Sequence, residues 1–369
     1  MRDFTLRFSA ENASDSMRSV LLFSTAKWYN QLTSGKEVRL AVMIEAIDRD
    51  IYRIAVPLAG SPLGSLNAYF FRGPEADYLM DTGFNTPQCE AALRQSLEAL
   101  AYRPERLNIV NTHLHMDHTG LNNRFVGAQG RIYIGRVDYE QMLWHYRRGG
   151  FKRGDRDRRE GADEAFFESM LRHGPERDSS KRHVVDEARY VGLHDGQALD
   201  VGPCTLRMVA VPGHTPGNAM FYVPEKKLMF TGDHVLFDIT PNITFWPRYD
   251  NALQHYLDSL EYAKRFDVAL ALPGHRGGGD YLARIDRILL HHKQRLAEIE
   301  NIVGNEPGLN AYAITRRMRW SIHLDENGQI PPPQMWFAAG ECMSHLDKLV
   351  ADGRMLRIEG EPYVTYRLP

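Results

Sequence analysis

An α/β layered domain followed by a smaller α+β one is the fold class that three features of this 369-residue sequence predict. Short apolar runs of strand length recur from about Glu37 to Leu272, broken by Gly, Pro, Asn and Asp. Stretches with apolar residues at helical spacing are interleaved with these runs, and from Tyr281 onward the helical pattern dominates. The composition, with 43% hydrophobic, 25% charged and 10% aromatic residues, is ordinary globular usage and can fill a sizeable core. The length favours two domains over one.

Residues 1–36 are polar and weakly periodic and read as an N-terminal arm. Residues 37–280 form the main domain. Its strands are predicted at Val38–Ile44, Ile51–Leu58, Leu66–Phe71, Tyr78–Met80, Leu107–Val110, Ile132–Ile134, Leu206–Val211, Ala219–Val223, Leu228–Phe230 and Val268–Leu272, with a helix at Gln88–Ala101. Between Tyr139 and Arg189 the strands stop. Helices at Tyr139–Tyr146 and Asp163–Arg172 flank a charge-dense loop, Arg147–Glu160, so residues 139–189 read as an insertion. Leu253, Leu257 and Leu260 recur at helical spacing before the long amphipathic helix Tyr281–Val303. A second domain, 281–369, continues with a helix at Ala311–Met318, a loop at Pro331-Pro332-Pro333, a helix at Gln334–Ala351 and a hairpin of Met355–Ile358 with Tyr363–Arg367.

Lys and Arg number 45 against 47 Asp and Glu, so no global charge draws the molecule to nucleic acid or anionic lipid. Cys89, Cys204 and Cys342 are scattered singly, which fits neither a disulfide framework nor a Cys-rich zinc module, and a cytoplasmic location is expected. No apolar run reaches the ~20 residues of a membrane span, and none makes a signal-peptide core.

The 15 histidines are more informative than these totals. Asn111-Thr112-His113-Leu114-His115-Met116-Asp117-His118 follows the strand Leu107–Val110, so one strand end carries three imidazoles and a carboxylate. Imidazole nitrogen and carboxylate oxygen are the donors that Zn²⁺ and related cations take. Three further candidates lie on Gly-marked turns after apolar strands: His214 in Pro212-Gly213-His214-Thr215, Asp233 in Thr231-Gly232-Asp233-His234, and His275 in Pro273-Gly274-His275-Arg276. Asp81, in Met80-Asp81-Thr82-Gly83, is read as orienting a ligand or a metal-bound water by hydrogen bonding, with an Asp that only caps the Asp-Thr-Gly turn as the alternative. His234, beside Asp233, is read as structural.

On these residues the sequence resembles the metallo-β-lactamase-fold hydrolases, in particular their glyoxalase II-like thioesterase branch, over residues 51–280; Leu66-Asn67-Ala68-Tyr69 fits the family's opening strands. The resemblance implies a four-layer αβ/βα sandwich with metals at one edge between its sheets. It implies that His113, His115 and His214 hold one divalent ion, that Asp117, His118 and His275 hold a second, and that Asp233 bridges them. Zn²⁺ is the expected metal, with Fe or Mn as alternatives. Residues from Tyr281 onward are similar to the winged-helix-like C-terminal domain attached to some of these hydrolases, on Glu341, His345-Leu346-Asp347-Lys348-Leu349 and the hairpin.

Two cations a few ångströms apart lower the pKa of a shared water from about 15.7 towards neutrality, so a bridging hydroxide is the expected nucleophile, with Asp117, Asp233 and Asp81 in catalytic roles. No Gly-x-Ser-x-Gly, Walker or Gly-x-Gly-x-x-Gly string competes for the reaction. A thioester such as an acyl-CoA or acyl-glutathione is the expected substrate. A single-iron persulfide dioxygenase-like oxygenase, a lactonase and a phosphodiesterase or nuclease are the alternatives. Nucleases of this fold carry a large domain between the bridging Asp and the last His, whereas Asp233 and His275 are 42 positions apart here.

Within the insertion, positions 147–159 carry Arg147, Arg148, Lys152, Arg153, Arg156, Arg158 and Arg159 against only Asp155 and Asp157. With Trp144, Tyr146, Phe166, Phe167 and Met170 on its flanks, it is expected to act as a lid that selects an anionic, partly apolar small molecule. Arg153, Arg156 and Arg158 would meet the phosphates of coenzyme A; a solvated charge run is the competing reading. From Asn305 to the end, seven basic residues face eight acidic ones, which argues against DNA binding by the second domain. Leu346, Leu349 and Val350 are expected instead to be buried against the helix Tyr281–Val303 or against a second copy in a homodimer.

Overall fold

The computed structural model describes residues 44–147, 154–173, 186–321, 328 and 330–369. The expected arm 1–36, most of the first expected strand and Arg153 lie outside the described residues.

Two sheets form the centre. The first has seven strands in sequence order: β1 (Ile44–Asp48), β2 (Ile51–Pro57), β3 (Ser65–Arg72), β4 (Asp77–Met80), β5 (Leu107–Val110), β6 (Ile132–Gly135) and β7 (Tyr190–Leu193). Its first three pairings are antiparallel, because tight turns connect them, and its last three are parallel. The parallel half is joined by crossovers that carry α1 (Pro87–Ala99) after β4, α2 (Met116–Thr119) and α3 (Asn122–Phe125) after β5, and α4 (Arg136–Arg147), α5 (Gly154–Arg159) and α6 (Glu164–His173) after β6. The second sheet runs in the order β12 (Leu270–Pro273), β11 (Leu228–Gly232), β10 (Ala219–Val223), β9 (Thr205–Ala210), β8 (Ala198–Asp200), with only β11 and β12 parallel.

Strand periodicity explains the layering. On β3, Leu66, Ala68 and Phe70 face a cluster shared with Leu93 and Leu97 of α1, while Tyr69 and Phe71 face the second sheet. On β10, Ala219, Phe221 and Val223 meet Tyr69 and Phe71 between the sheets, while Met220 points outward. Both faces of each sheet are covered, which is why these strands read as near-continuous apolar runs. The outer face of the second sheet, with Val209, Met220, Met229 and Ala271, packs on α7 (Ala252–Ala263), α8 (Tyr281–Asn305) and α10 (Pro332–Ala351). Helix, sheet, sheet and helix give the four-layer sandwich.

The C-terminal part holds α8, α9 (Ala311–Arg317), α10 and a two-stranded sheet of β13 (Leu356–Ile358) with β14 (Thr365–Arg367). Asp280 caps α8 and Asn310 caps α9, each through a side-chain oxygen that accepts a first-turn N–H. Leu346 and Leu349 are fully buried in the cluster that contains Ile288, Leu296 and Ile299 of α8, with Val350 partly buried against it. The described residues form one compact unit whose outer core runs without a break from the second sheet to Tyr366.

Four features depart from the sequence reading. The loop expected at Arg147–Glu160 contains a helix, α5 (Gly154–Arg159), with Asp155 and Asp157 in its first turn and Arg156, Arg158 and Arg159 in its last. That order matches the helix dipole, which is the local reason these charges support a helix. Helix α4, placed in the insertion, is instead part of the crossover between parallel strands β6 and β7, and its Met142 is buried in the sandwich core. Strands β7 and β8 went unrecognised; β8 is only three residues long, and Ala198 and Asp200 are exposed. The three prolines are not a loop, because α10 starts at Pro332, where a missing N–H costs nothing.

Candidate metal centre

The candidate residues converge because their strands end at one edge of the sandwich. Asp81 follows β4, His113 to His118 follow β5, His214 follows β9, Asp233 follows β11 and His275 follows β12. The two sheets are stitched together at this edge by β3. Asn67 N donates to the Gly274 carbonyl at 2.7 Å, Asn67 Nδ2 to Pro273 O at 3.0 Å and Arg276 O at 2.8 Å, and Tyr69 Oη to Pro273 O at 2.8 Å. The segment Leu66-Asn67-Ala68-Tyr69 thus holds the loop that carries His275. A Cβ on Gly274 would lie 2.6 Å from Asp233 Oδ1, so only glycine lets this loop approach the centre so closely.

Three overlapping groups of donor atoms result: His113, His115 and His214; His113, His118 and Asp233; and Asp117, His118 and His275. His113 Nε2 lies 3.0 Å from His115 Nδ1, and His118 Nε2 lies 3.3 Å from His275 Nε2. Asp233 stands between the groups. One oxygen is 3.6 Å from His118 Nε2, and the other is 3.4 Å from His275 Nε2 and 3.9 Å from His214 Nε2. Asp117 Oδ2 is 3.4 Å from His275 Nε2.

The outer nitrogens are already committed. His118 Nδ1 lies 2.8 Å from Asp81 Oδ2, His275 Nδ1 donates to Ser65 O at 2.8 Å, His214 Nδ1 donates to Asn242 O at 2.9 Å, and His113 Nδ1 is 3.1 Å from Thr112 Oγ1. Each contact leaves the Nε2 lone pair aimed inward, the arrangement in which imidazoles bind metal. Asp81 adopts a left-handed φ of 61° and also accepts from Thr112 N at 3.0 Å and Thr112 Oγ1 at 2.8 Å. Its carboxylate therefore orients His118 from behind.

Buried His214 Nε2 and Asp233 Oδ1 have no hydrogen-bond partner. Orphaned donor atoms at the focus of a His/Asp cluster are what a cation-binding site leaves when described without its cation, so the residues fit a divalent metal. Electrostatics agree. Burial, with help from His118, His115 and His214, drives His113 well below its usual pKa; burial also pushes His115 down to about 3 and lowers His214. Burial opposes protonation of His118 too, but Asp81, Asp233 and Asp117 outweigh it and hold that pKa well above normal. His275 is likewise held up at about 10, its burial overcome by Asp233 and Asp117. Burial would raise both aspartates, yet His275 and His118 hold Asp233 well below the carboxylate range and Asp117 at about 2. A cation bound here would take the place of the protons on His118 and His275.

A family model described as "Metallo-beta-lactamase superfamily" matches residues 62–275, which spans β3 to His275 and all the candidate donor residues. The chain belongs to the metallo-beta-lactamase superfamily. Relatives of this superfamily member include the lactamase-like protein vrtG of Penicillium aethiopicum, 24% identical over 332 residues, covering 85% of this chain and 89% of the relative. The atrochrysone carboxyl ACP thioesterase of Aspergillus fumigatus is 24% identical over 279 residues, covering 73% of this chain and 71% of its own. The hydroxyacylglutathione hydrolase of Methylococcus capsulatus is 30% identical over 138 residues, 37% of either chain. Among solved structures, a metallo-beta-lactamase family protein of Thermus thermophilus superposes with a TM-score of 0.66 at 27% identity, covering 88% of this chain and 100% of that one. A beta-lactamase domain protein of Burkholderia ambifaria shares the fold with a TM-score of 0.76 at 23% identity, covering 88% and 94%.

Within this superfamily member, Arg156 and Arg158, two of the arginines assigned to the substrate, contact residues outside the donor groups. Arg156 Nη2 pairs with Asp347 Oδ1 of α10 at 2.6 Å, and its guanidinium sits 4.3 Å from the Phe245 ring. Arg158 is half exposed, stacked 4.1 Å from the Phe167 ring and 3.9 Å from Glu164. His234 is buried edge-on against Tyr256, away from the donor atoms.

Three supporting residues escaped sequence reasoning. Asp138, fully buried at the start of α4, accepts from Leu114 N at 2.9 Å, Thr215 Oγ1 at 2.6 Å and Gly217 N at 2.6 Å, clamping the His113–His115 loop to the His214 loop. Its position looks like an ordinary acidic residue in a first helical turn. Trp246 stacks on His115 at 5.7 Å and donates from Nε1 to His214 O at 3.1 Å. Asn242 holds His214, and no motif marks it.

Proposed function

We propose that this protein is a dinuclear metal-dependent hydrolase acting on a thioester, with Zn²⁺ as the metal. The observation that carries the reading is the pair of donor groups joined by Asp233, which offers room for two cations within one cluster. His113, His115 and His214 would hold one, Asp117, His118 and His275 the other, with Asp233 between them. When bound, the pair supplies a hydroxide at neutral pH and a Lewis acid for the carbonyl oxygen. Asp81 keeps His118 oriented, and Asp138 keeps the two loops in register. His115 is the imidazole of the cluster least shielded from solvent, so substrate approaches across it and along Trp246.

A thioester is favoured because two relatives are named as an ACP thioesterase and a hydroxyacylglutathione hydrolase. An anionic leaving group such as coenzyme A is supported by a groove lined by Glu140, Leu143, Trp144, Arg147 and Arg248. Arg248 sits over Trp144 with a left-handed φ of 63°, at the third position of a Trp246-Pro247-Arg248-Tyr249 turn where glycine is the ordinary choice. Arg153 and Arg158 remain proposed contacts at the outer end of the same substrate. We further propose that residues 281–369 are a winged-helix-like appendage, supported by the order of three helices and a hairpin. A cytoplasmic location is supported by three free, buried cysteines; no described helix is long and apolar enough to cross a membrane.

The test is hydrolysis of acyl-CoA, acyl-glutathione, lactone and phosphodiester substrates by zinc-loaded protein, with metal analysis. Two bound metals and preferential thioester cleavage are expected, with Arg248→Ala raising KM for the CoA thioester and not for a small neutral one. One bound iron with oxygen uptake would overturn the reading.

A further inference from the structure

We infer that the C-terminal helix α10 is a positioning element of the metal centre, acting on His214 through Asn242. This rests on the metal-site reading above and extends it to a part of the chain with no candidate ligand.

The outer nitrogens of His113, His118 and His275 find their partners within the sandwich, in Thr112, Asp81 and Ser65. His214 does not. Its Nδ1 donates to the backbone carbonyl of Asn242, which lies in the segment between β11 and α7 that forms neither helix nor strand. A carbonyl on an irregular segment orients an imidazole only if the segment itself is fixed. Helix α10 fixes it at consecutive residues. Asn242 Nδ2 donates to Phe337 O at 3.3 Å and to Glu341 Oε2 at 3.2 Å, and Ser344 Oγ donates to Ile243 O at 2.6 Å. Ser344 and Ile243 are fully buried.

Glu341 is itself largely buried against α8. Its other oxygen lies 3.9 Å from both His291 Nε2 and Arg295 Nε, and Arg295 is locked by a bond to Arg319 O at 2.7 Å and by stacking 4.1 Å from Trp320. The path from α8 and α10 to the centre is therefore a short chain of direct contacts: Arg295, Glu341, Asn242, His214. Rotation of the Asn242 peptide would swing the His214 Nε2 lone pair off its focus, and only the His113, His115 and His214 group would feel it. Outer contacts of this kind are worth about ten- to hundred-fold in metal affinity in general.

The experiment uses the full chain loaded with Co²⁺, read by its visible spectrum and by chelator competition for each ion, alongside kcat and KM. Glu341→Ala and Asn242→Ala are expected to weaken one of the two ions by about ten- to hundred-fold, to alter its spectrum and to lower kcat with KM unchanged. Glu341→Gln, which keeps an acceptor oxygen for Asn242, is expected to restore affinity and spectrum. Asp347→Asn, on the same helix but bonded to Arg156, is the control and should leave both ions as tightly bound as in the wild type. The inference is overturned if the two alanine variants keep wild-type affinity and spectrum, if both ions weaken equally, or if Asp347→Asn matches them. If Glu341→Ala does not fold, the loop variant Asn242→Ala gives the same readout. A wild-type protein that binds no metal would instead sink the metal-site reading itself.

Discussion

Arg156→Ala separates a structural arginine from a substrate-binding one. The Arg156 guanidinium is 2.6 Å from Asp347, 3.7 Å from the fully buried carboxylate of Glu160 and 4.3 Å from the Phe245 ring, with 28% of the side chain exposed. Exposed ion pairs contribute about 0.2–1 kcal/mol and breaking buried ones costs about 3–5, so a pair at this depth is worth roughly 1–2 kcal/mol. The ring contact adds about 1 kcal/mol in a partly desolvated setting. Removing Arg156 also leaves Glu160 with only Arg357, at 3.5 Å, and the Tyr366 hydroxyl, at 3.0 Å, to offset its burial. A total loss of roughly 2–4 kcal/mol is expected, a fall of several degrees in Tm for a chain of this size. Urea and thermal unfolding of Arg156→Ala, Asp347→Ala and the double variant give the coupling directly, and KM for a CoA thioester is measured on the same proteins. Unchanged stability together with a raised KM would refute the structural assignment and return Arg156 to the substrate.

Asp233→Ala removes the carboxylate that touches His118, His214 and His275, so metal content and turnover should both collapse; metal analysis with full occupancy and near-normal activity would refute the bridging role. Burial, outweighing three donors, lifts Asp138 from the ordinary 3.8 to about 7, so the folded state keeps a proton that the unfolded state releases. That part of the stability is present at low pH and is lost as pH rises through about 7. Asp138→Asn should therefore gain on the wild type between pH 5 and pH 8, by on the order of 2–3 kcal/mol in urea unfolding. The same variant must turn a donor towards Leu114 N or Gly217 N and should bind metal more weakly; a pH-independent difference would refute the shifted carboxyl.

The amino-acid pattern was enough to place most strands to within a residue or two, because each sheet is buried on both faces and its strands are continuous apolar runs bounded by Gly, Pro and Asn. Where an element had a mixed signal, the reading failed. The stretch Gly154–Arg159 carries no apolar periodicity and looked like a loop, while its dipole-matched charges make it helical. Strand β8 pairs on one side only and exposes Ala198 and Asp200, so it leaves no apolar run to recognise.

The sequence by itself marked the candidate donor set. His113, His115, Asp117, His118, His214, Asp233 and His275 are marked by residue type and by their place after apolar strands, and strand direction alone brings such ends to one edge. Only the tertiary structure decided what holds them. Asp138 lies 77 positions from Thr215, and Asn242 lies 99 from Glu341. Hydrogen bonds across such separations leave no local period or spacing, because each partner obeys only its own helix or turn until packing brings the two together.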